Sequence, residues 1–185
     1  MIIETERLVL RPWREEDAER LYQYASDPDV GTPAGWLPHE SVEHSLEIIR
    51  TVLSAPEVYA VCLKDEQTPV GNIHLNFSTD MTDRPDECEL GYWLGKPYWG
   101  QGIIPEAGRA VLRRAFAELG ANAVWCGRYD GNEKSHRVQQ KLGFFYHHTT
   151  HGLHVAGVNE IRTGHVMYLT KENWEKQEKL NEQAE

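Results

Sequence analysis

Cysteine is scarce in this chain: there are three, Cys62, Cys88 and Cys126, and no C-x-x-C spacing among them. That excludes a disulfide framework and a cysteine-based zinc motif. Each cysteine sits in an apolar, strand-like run, which suits a reduced, buried thiol better than a catalytic nucleophile. Long apolar runs are missing too. Charged residues recur from the opening M-I-I-E-T-E-R-L onward, so neither a secretory leader nor a transmembrane span is expected, and the chain is read as cytoplasmic with no membrane partner. Basic residues are outnumbered, 19 against 29 acidic, for a net charge of −10. This balance argues against nucleic acid as a partner and modestly favours cationic ones. Internal repeats and low-complexity linkers are also lacking.

What remains is 185 residues with 40% hydrophobic content, most simply one domain over 1–185 with a substantial core. Residues 2–10 alternate as a strand that Pro12 and Trp13 end, and 14–26 read as a helix with an acidic first turn, stopped by Asp27-Pro28-Asp29. A Gly/Pro-rich loop over 30–40 carries Trp36 and Leu37, both expected to be exposed. Ser41 caps a helix to about Ser54. Strands over 57–63 and 70–77 form a hairpin, followed by a polar loop over 78–87 and a strand over 88–94. The spacing predicts a helix from Ile103 to Leu119, with Pro105 tolerated in its first turn and Gly120 ending it. Then come a strand over 123–127, a short helix over 133–142, strands over 144–147 and 164–170, and a charged helix from Lys171 to about Leu180. The terminal residues 181–185 are expected to fray, and 148–163 read as loop with part of a strand. This order predicts an α/β (α+β) fold, a mixed, mostly antiparallel sheet with helices on both faces.

The chain centres on C-E-L-G-Y-W-L-G-K-P-Y-W-G-Q-G-I-I-P-E, Cys88 to Glu106. A strand breaks into a glycine-rich loop, Lys96 to Gly102, that runs directly into a helix. Free N–H groups and the helix dipole suit such a junction to a phosphate or pyrophosphate, and Gly100 and Gly102 have no Cβ to hold a ligand away. A dinucleotide fingerprint needs a further glycine where Pro105 stands, and no Gly-Lys-Ser/Thr follows for a P-loop. The pattern resembles the acyl-CoA pyrophosphate loop of the GNAT family of N-acetyltransferases. Pro97 replaces that family's usual Arg or Gln, as in the RimJ/RimL-type ribosomal-protein alanine acetyltransferases, whose loop reads much like Y-W-G-Q-G. Two further stretches are similar to that branch: E-T-E-R-L-V-L-R-P-W with E-E-D-A at the start, and N-E-K-S-H-R-V-Q-Q-K-L-G-F, Asn132 to Phe144.

The resemblance implies a GNAT fold with a splayed central strand and acetyl-CoA as co-substrate. Trp93, Leu94 and Gly95 would then lie along the pantetheine, and Lys96, Trp99, Gly100, Gln101, Gly102 and Ile103 around the pyrophosphate. Asn132, Ser135 and Lys141 belong to the second cofactor stretch, although Asn132 alone reads equally as a helix cap and Lys141 as solvent-facing. Glu89 is the favoured general base, with a structural ion pair or a solvated strand position as the competing reading. His74 is a substrate-side residue and reserve base. Gln139 stands where many relatives carry a thiolate-protonating Tyr; the RimL-like branch lacks that Tyr too and is thought to use a helix serine, a role the resemblance assigns to Ser135. Trp36 lies where the family recognises its acceptor. His147, His148, His151 and His154 lack a completing ligand set, so no metal is expected.

The resulting expectation is acetyl transfer to a primary amine by direct attack on the thioester. The amine would be a protein N-terminus of the ribosomal-protein type; a polyamine or antibiotic acceptor and a non-catalytic acyl-CoA-binding module stand as alternatives. A monomer and a homodimer are both compatible with the sequence.

Overall fold

The computed structural model describes residues 1–183, with only the backbone at Asn181 and Glu182. Among these residues one sheet runs in the order β1-β2-β3-β4-β5-β6-β8-β7. Its strands are β1 (Ile3–Glu4), β2 (Leu8–Arg11), β3 (Val58–Leu63), β4 (Pro69–Asn76), β5 (Glu87–Leu94), β6 (Ala123–Tyr129), β7 (Phe145–Val155) and β8 (Glu160–Thr170). All neighbouring pairs are antiparallel except β5 with β6. Helices α1 (Ala18–Ala25), α2 (Pro28–Gly31), α3 (Val42–Ile48), α4 (Ile103–Arg113), α5 (Glu133–Lys141) and α6 (Lys171–Glu182) cover it. The expected mixed, mostly antiparallel sheet is therefore present.

Period-two alternation in the strands splits the core between the two faces. Leu8, Leu10, Val61, Ile73 and Leu90 pack under Ile103, Ala107, Val111 and Phe116 of the α4 segment, and Trp174 of α6 stacks on Phe116. Ala60 and Cys62 face the other way, against Trp13, Leu21 and Ala25 of the α1 layer and Ile49 and Leu53 beyond α3. Ser41 caps α3 as expected, its side chain accepting from the His44 N–H at 3.1 Å.

The end of β2 is tied to the start of the α1 layer by a buried ion pair. Arg11 donates to both carboxylate oxygens of Asp17 at 2.7 and 2.8 Å, and both side chains are 8% exposed. Removing one partner strands the other charge, so Asp17→Ala is expected to destabilise the fold by about 3–5 kcal/mol. Cutting the exposed Arg50–Glu15 pair should barely move the melting midpoint. Urea melts of the two variants check this, and equal midpoints would contradict it.

Three stretches differ from the sequence-based expectations. Residues 2–10 form two short strands paired with each other, because the Thr5 side chain accepts from the Leu8 N–H and turns the chain back. Asp27-Pro28-Asp29 follows the end of α1 at Ala25, as expected, but it also starts a further short helix: Asp27 accepts from the Asp29 N–H, and Pro28 fills the first helical position. The stretch 148–163 is mostly strand, the long hairpin β7–β8. The fraying expected at 181–185 falls partly on Ala184 and Glu185, outside the described residues; α6 itself runs to Glu182.

Candidate active site

Strands β5 and β6 pair only at Glu87↔Ala123, Cys88↔Val124 and Glu89↔Trp125. Beyond that point β5 stays with β4 and β6 with β8, so the two diverge and the β5 edge from Leu90 to Leu94 has no strand partner on that side. This splay opens a cleft of about 900 Å³ through the sheet. Glu89, Trp93, Leu94, Trp99, Gly100, Gly102, Ile103, Asn132, Ser135 and Lys141 line it together with Trp36 and His74. Gly95, Lys96 and Gln101 do not. Gly95 packs on the Tyr24 ring, the Lys96 ammonium pairs with Asp29 on α2, and Gln101 folds back to the Pro97 carbonyl at 3.0 Å.

At one end, Gly100 and Gly102 adopt φ of 77° and 76°, the left-handed region that glycine enters without a Cβ penalty. A Cβ at Gly100 would meet nothing within 4 Å, and at Gly102 only the tip of Arg7 at 3.7 Å, so the loop walls open space. No side chain caps α4, leaving its first N–H groups directed out of the helix. Arg7 and Glu106 brace the junction: Arg7 donates to the Glu106 carboxylate at 2.7 Å and to the Gln101 carbonyl at 3.1 Å. Lys134 lies 3.9 Å over the Trp99 ring, adding a cation beside the glycines.

The two faces of β5 present different chemistry. On the α4–α5 face, the Tyr92 hydroxyl lies 2.9 Å from Ser135 Oγ, and Ser135 is held in turn by the Asn132 cap. Burial keeps the Tyr92 hydroxyl well above its ordinary titration range. On the opposite face Glu89 accepts from Thr79 Oγ1 at 2.8 Å, and burial raises its pKa, with Asp80 nearby adding to the effect. Trp93 stands between Trp13 and Trp36, with ring centroids 6.2 Å from each. Trp36 is half-buried, not exposed as expected: its indole rests on Gly31, where a Cβ would come within 2.4 Å, while Leu37 is the exposed neighbour.

The three thiols are buried and pushed up, Cys62 to about 11 and Cys88 and Cys126 to about 12, so they stay protonated and poorly nucleophilic near neutrality. Of the β7 histidines, His147 packs on Trp125 and lies 2.7 Å from His148, Nδ1 to Nδ1, while His151 bonds Thr163 and His154 bonds Asn159.

Sequence reasoning missed Tyr92, Thr79 and Arg128. Tyr92 reads as one more apolar strand position and Thr79 as loop, and no signal marked either. Arg128, on β6, lines the cleft with buried Nε and Nη1 atoms that have no hydrogen-bond partner among the described residues. Buried, orphaned donors call for an acceptor. Together with the open glycine cradle and the free β5 edge, they fit an anionic, amide-bearing ligand such as acetyl-CoA.

The comparisons bear on the fold and the family. A crystal structure of a GNAT-family acetyltransferase from Bacillus anthracis superposes with a TM-score of 0.81 at 23% identity, covering 93% of this chain and 99% of that one. The uncharacterized N-acetyltransferase p20 of Bacillus licheniformis is 29% identical over 145 residues, 76% of this chain and 80% of its own. YdaF of Bacillus subtilis, named provisionally as a ribosomal N-acetyltransferase, is 38% identical over 91 residues, 48% of each chain. Residues 7–145 match the family described as the acetyltransferase (GNAT) domain, and the chain belongs to that family of N-acetyltransferases.

Proposed function

We propose that this enzyme transfers the acetyl group of acetyl-CoA to the α-amine of a protein N-terminus. The observation that carries this reading is the placement of Glu89, a partly buried carboxylate at the point where β5 and β6 part, on the face opposite Tyr92 and Ser135. The bound co-substrate supplies an acetyl group already activated as a thioester. The free N–H groups at the start of α4, with Lys134 and Lys141, would hold its phosphates, and the unpaired β5 edge would hold its amides.

An ammonium cannot attack a carbonyl until it loses a proton. Glu89 is placed to take that proton, and its raised pKa makes it a stronger base than an exposed carboxylate. Ser135 Oγ and the Tyr92 hydroxyl both remain protonated near neutrality, so Ser135 can accept from Tyr92 and donate its own O–H to a departing thiolate. Arg128 adds a fixed positive charge near Tyr92.

Three considerations favour an α-amine. Its pKa is near 8 against roughly 10.4 for lysine, so more of it is neutral at pH 7. The acceptor face carries Asp80 and Glu89, and the chain as a whole has a net charge of −10, which attracts a cationic N-terminus. A relative bears a ribosomal acetyltransferase name.

Thiol release from acetyl-CoA, measured across a peptide with a free α-amine, its lysine-only counterpart, spermidine and an aminoglycoside, tests the reading. The α-amine peptide is expected to turn over best, and preference for any of the others overturns it. Trp36 walls the acceptor face, so Trp36→Ala should shift the ranking among N-terminal residues. An unchanged ranking would remove Trp36 from recognition.

A further inference from the structure

On the face that carries Glu89, three side chains form a hydrogen-bonded row whose polarity is fixed from one end. Trp13 is buried, and its indole N–H can only donate; it reaches Asn72 Oδ1 at 2.8 Å. Asn72 is 2% exposed, so its amide is locked with oxygen toward Trp13 and nitrogen toward His74, where Nδ2 lies 3.2 Å from Nδ1. An amide nitrogen offers no lone pair. Nδ1 of His74 must therefore accept, and the ring proton must sit on Nε2. Protonating Nδ1 would set two donors against each other, and burial already lowers the pKa of this ring, so it stays neutral.

A neutral imidazole in this tautomer cannot serve as the base that the sequence held in reserve: Nδ1 is occupied and Nε2 already carries a proton. It can only donate. Nothing among the described residues accepts from Nε2, and the ring lines the cleft. Its Nε2 edge lies against Gly91, where a Cβ would come within 2.5 Å, so the glycine is what admits it. His74 pairs opposite Gly91, and Glu89 stands on the same face one alternation along β5, a diagonal spacing of roughly 7–8 Å. Both side chains line the cleft, where a residue bound along this face can set its amine at the carboxylate and its carbonyl oxygen at the N–H.

We propose that His74 is a specificity-determining donor whose Nε2–H, presented by Trp13 and Asn72, binds the carbonyl oxygen of the acceptor's first residue while Glu89 faces its amine. The assignment rests on the N-terminal α-amine reading and narrows it to acceptors with a carbonyl beside the amine-bearing carbon. Alkylamines and polyamines lack that group and leave the donor unsatisfied.

Nitrogen-15 NMR of the imidazole in the full-length enzyme reads the tautomer without any acceptor. The parent should show Nε2 protonated, and Asn72→Asp, which turns an acceptor toward Nδ1, should move the proton there. A parent proton on Nδ1 overturns the proposal. Kinetics supply the second test, with a peptide and its alkene isostere, which keeps the shape of the first peptide bond and removes the carbonyl. His74→Leu should lower kcat/KM on the peptide by about 10- to 100-fold, chiefly through KM. It should leave the isostere nearly unchanged, and His74→Gln, which retains an N–H donor, should recover most of the loss. Equal losses on peptide and isostere would mean the donor serves some other oxygen, which overturns the assignment alone. A parent enzyme that acetylates no peptide α-amine overturns the acceptor reading as well.

Discussion

Glu89→Gln is expected to lower kcat at pH 7 by about 10²–10⁴, the usual scale of general acid–base assistance, and to leave the affinity for acetyl-CoA unchanged. Glutamine keeps the shape and an oxygen for the Thr79 hydroxyl but cannot take a proton. The deficit should shrink as pH rises above 8, where the α-amine is already neutral and needs no base. In the parent, activity should fall as pH drops through the raised pKa of Glu89, because the protonated acid cannot act. Stability should move the other way. The folded state holds this proton more tightly than the unfolded chain, so ionising Glu89 between the ordinary and the raised pKa removes stability. At neutral pH the charged side chain is thus a cost to the fold, and Glu89→Gln should melt no lower than the parent. A rate deficit that is equal at every pH, or a clearly lower melting temperature, would mean that the carboxylate serves the structure instead.

Gly102→Val should weaken acetyl-CoA binding far more than it weakens the fold. The backbone at Gly102 has φ of 76°, where a side chain is strained by about 1–2 kcal/mol. The protein itself leaves room, since a Cβ would approach only the flexible end of Arg7 at 3.7 Å. The added methyl groups would instead enter the space in front of the α4 N–H groups. Losing one charge-assisted hydrogen bond there corresponds to about 10- to 100-fold in affinity, and losing two to more. Titration calorimetry beside a thermal melt separates the two effects. Affinity within a few-fold of the parent would reduce the glycine loop to a turn.

Much of the architecture was legible because its causes are local. Ser41 capping α3, Pro105 in the first turn of α4, the glycines beside it and the hairpin β3–β4 are each written in neighbouring residues. The hairpin β7–β8 was not, for a physical reason. β7 is exposed along nearly its whole length, and it bulges between Tyr146 and His148 and again between Thr150 and Leu153, so no alternation of apolar and polar residues survives. The Asp27-Pro28 signal was read for the end of α1 alone, whereas the same pair also begins the next helix.

In the site, the glycine loop and Glu89 stand out in the sequence as candidates, whereas the side-chain pairings around them do not. Thr79 reaches Glu89 from a loop, Tyr92 meets Ser135 across 43 positions, and Asn72 takes its orientation from Trp13 across 59. Such pairings depend on which face a strand residue takes and where the sheet splays. Lys96 illustrates the converse: its charge invites a phosphate role, yet three-dimensional proximity gives it to Asp29. The fold placed the more informative cation, Arg128, where no motif pointed.

The most direct measurement uses one peptide that carries both a free α-amine and an internal lysine, incubated with the enzyme and acetyl-CoA at pH 7 and sequenced by tandem mass spectrometry. The site described above should place the acetyl group on the α-nitrogen and leave the lysine free, with the yield collapsing in Glu89→Gln. Acetylation on the lysine, or α-acetylation at the same rate without the Glu89 carboxylate, would contradict it.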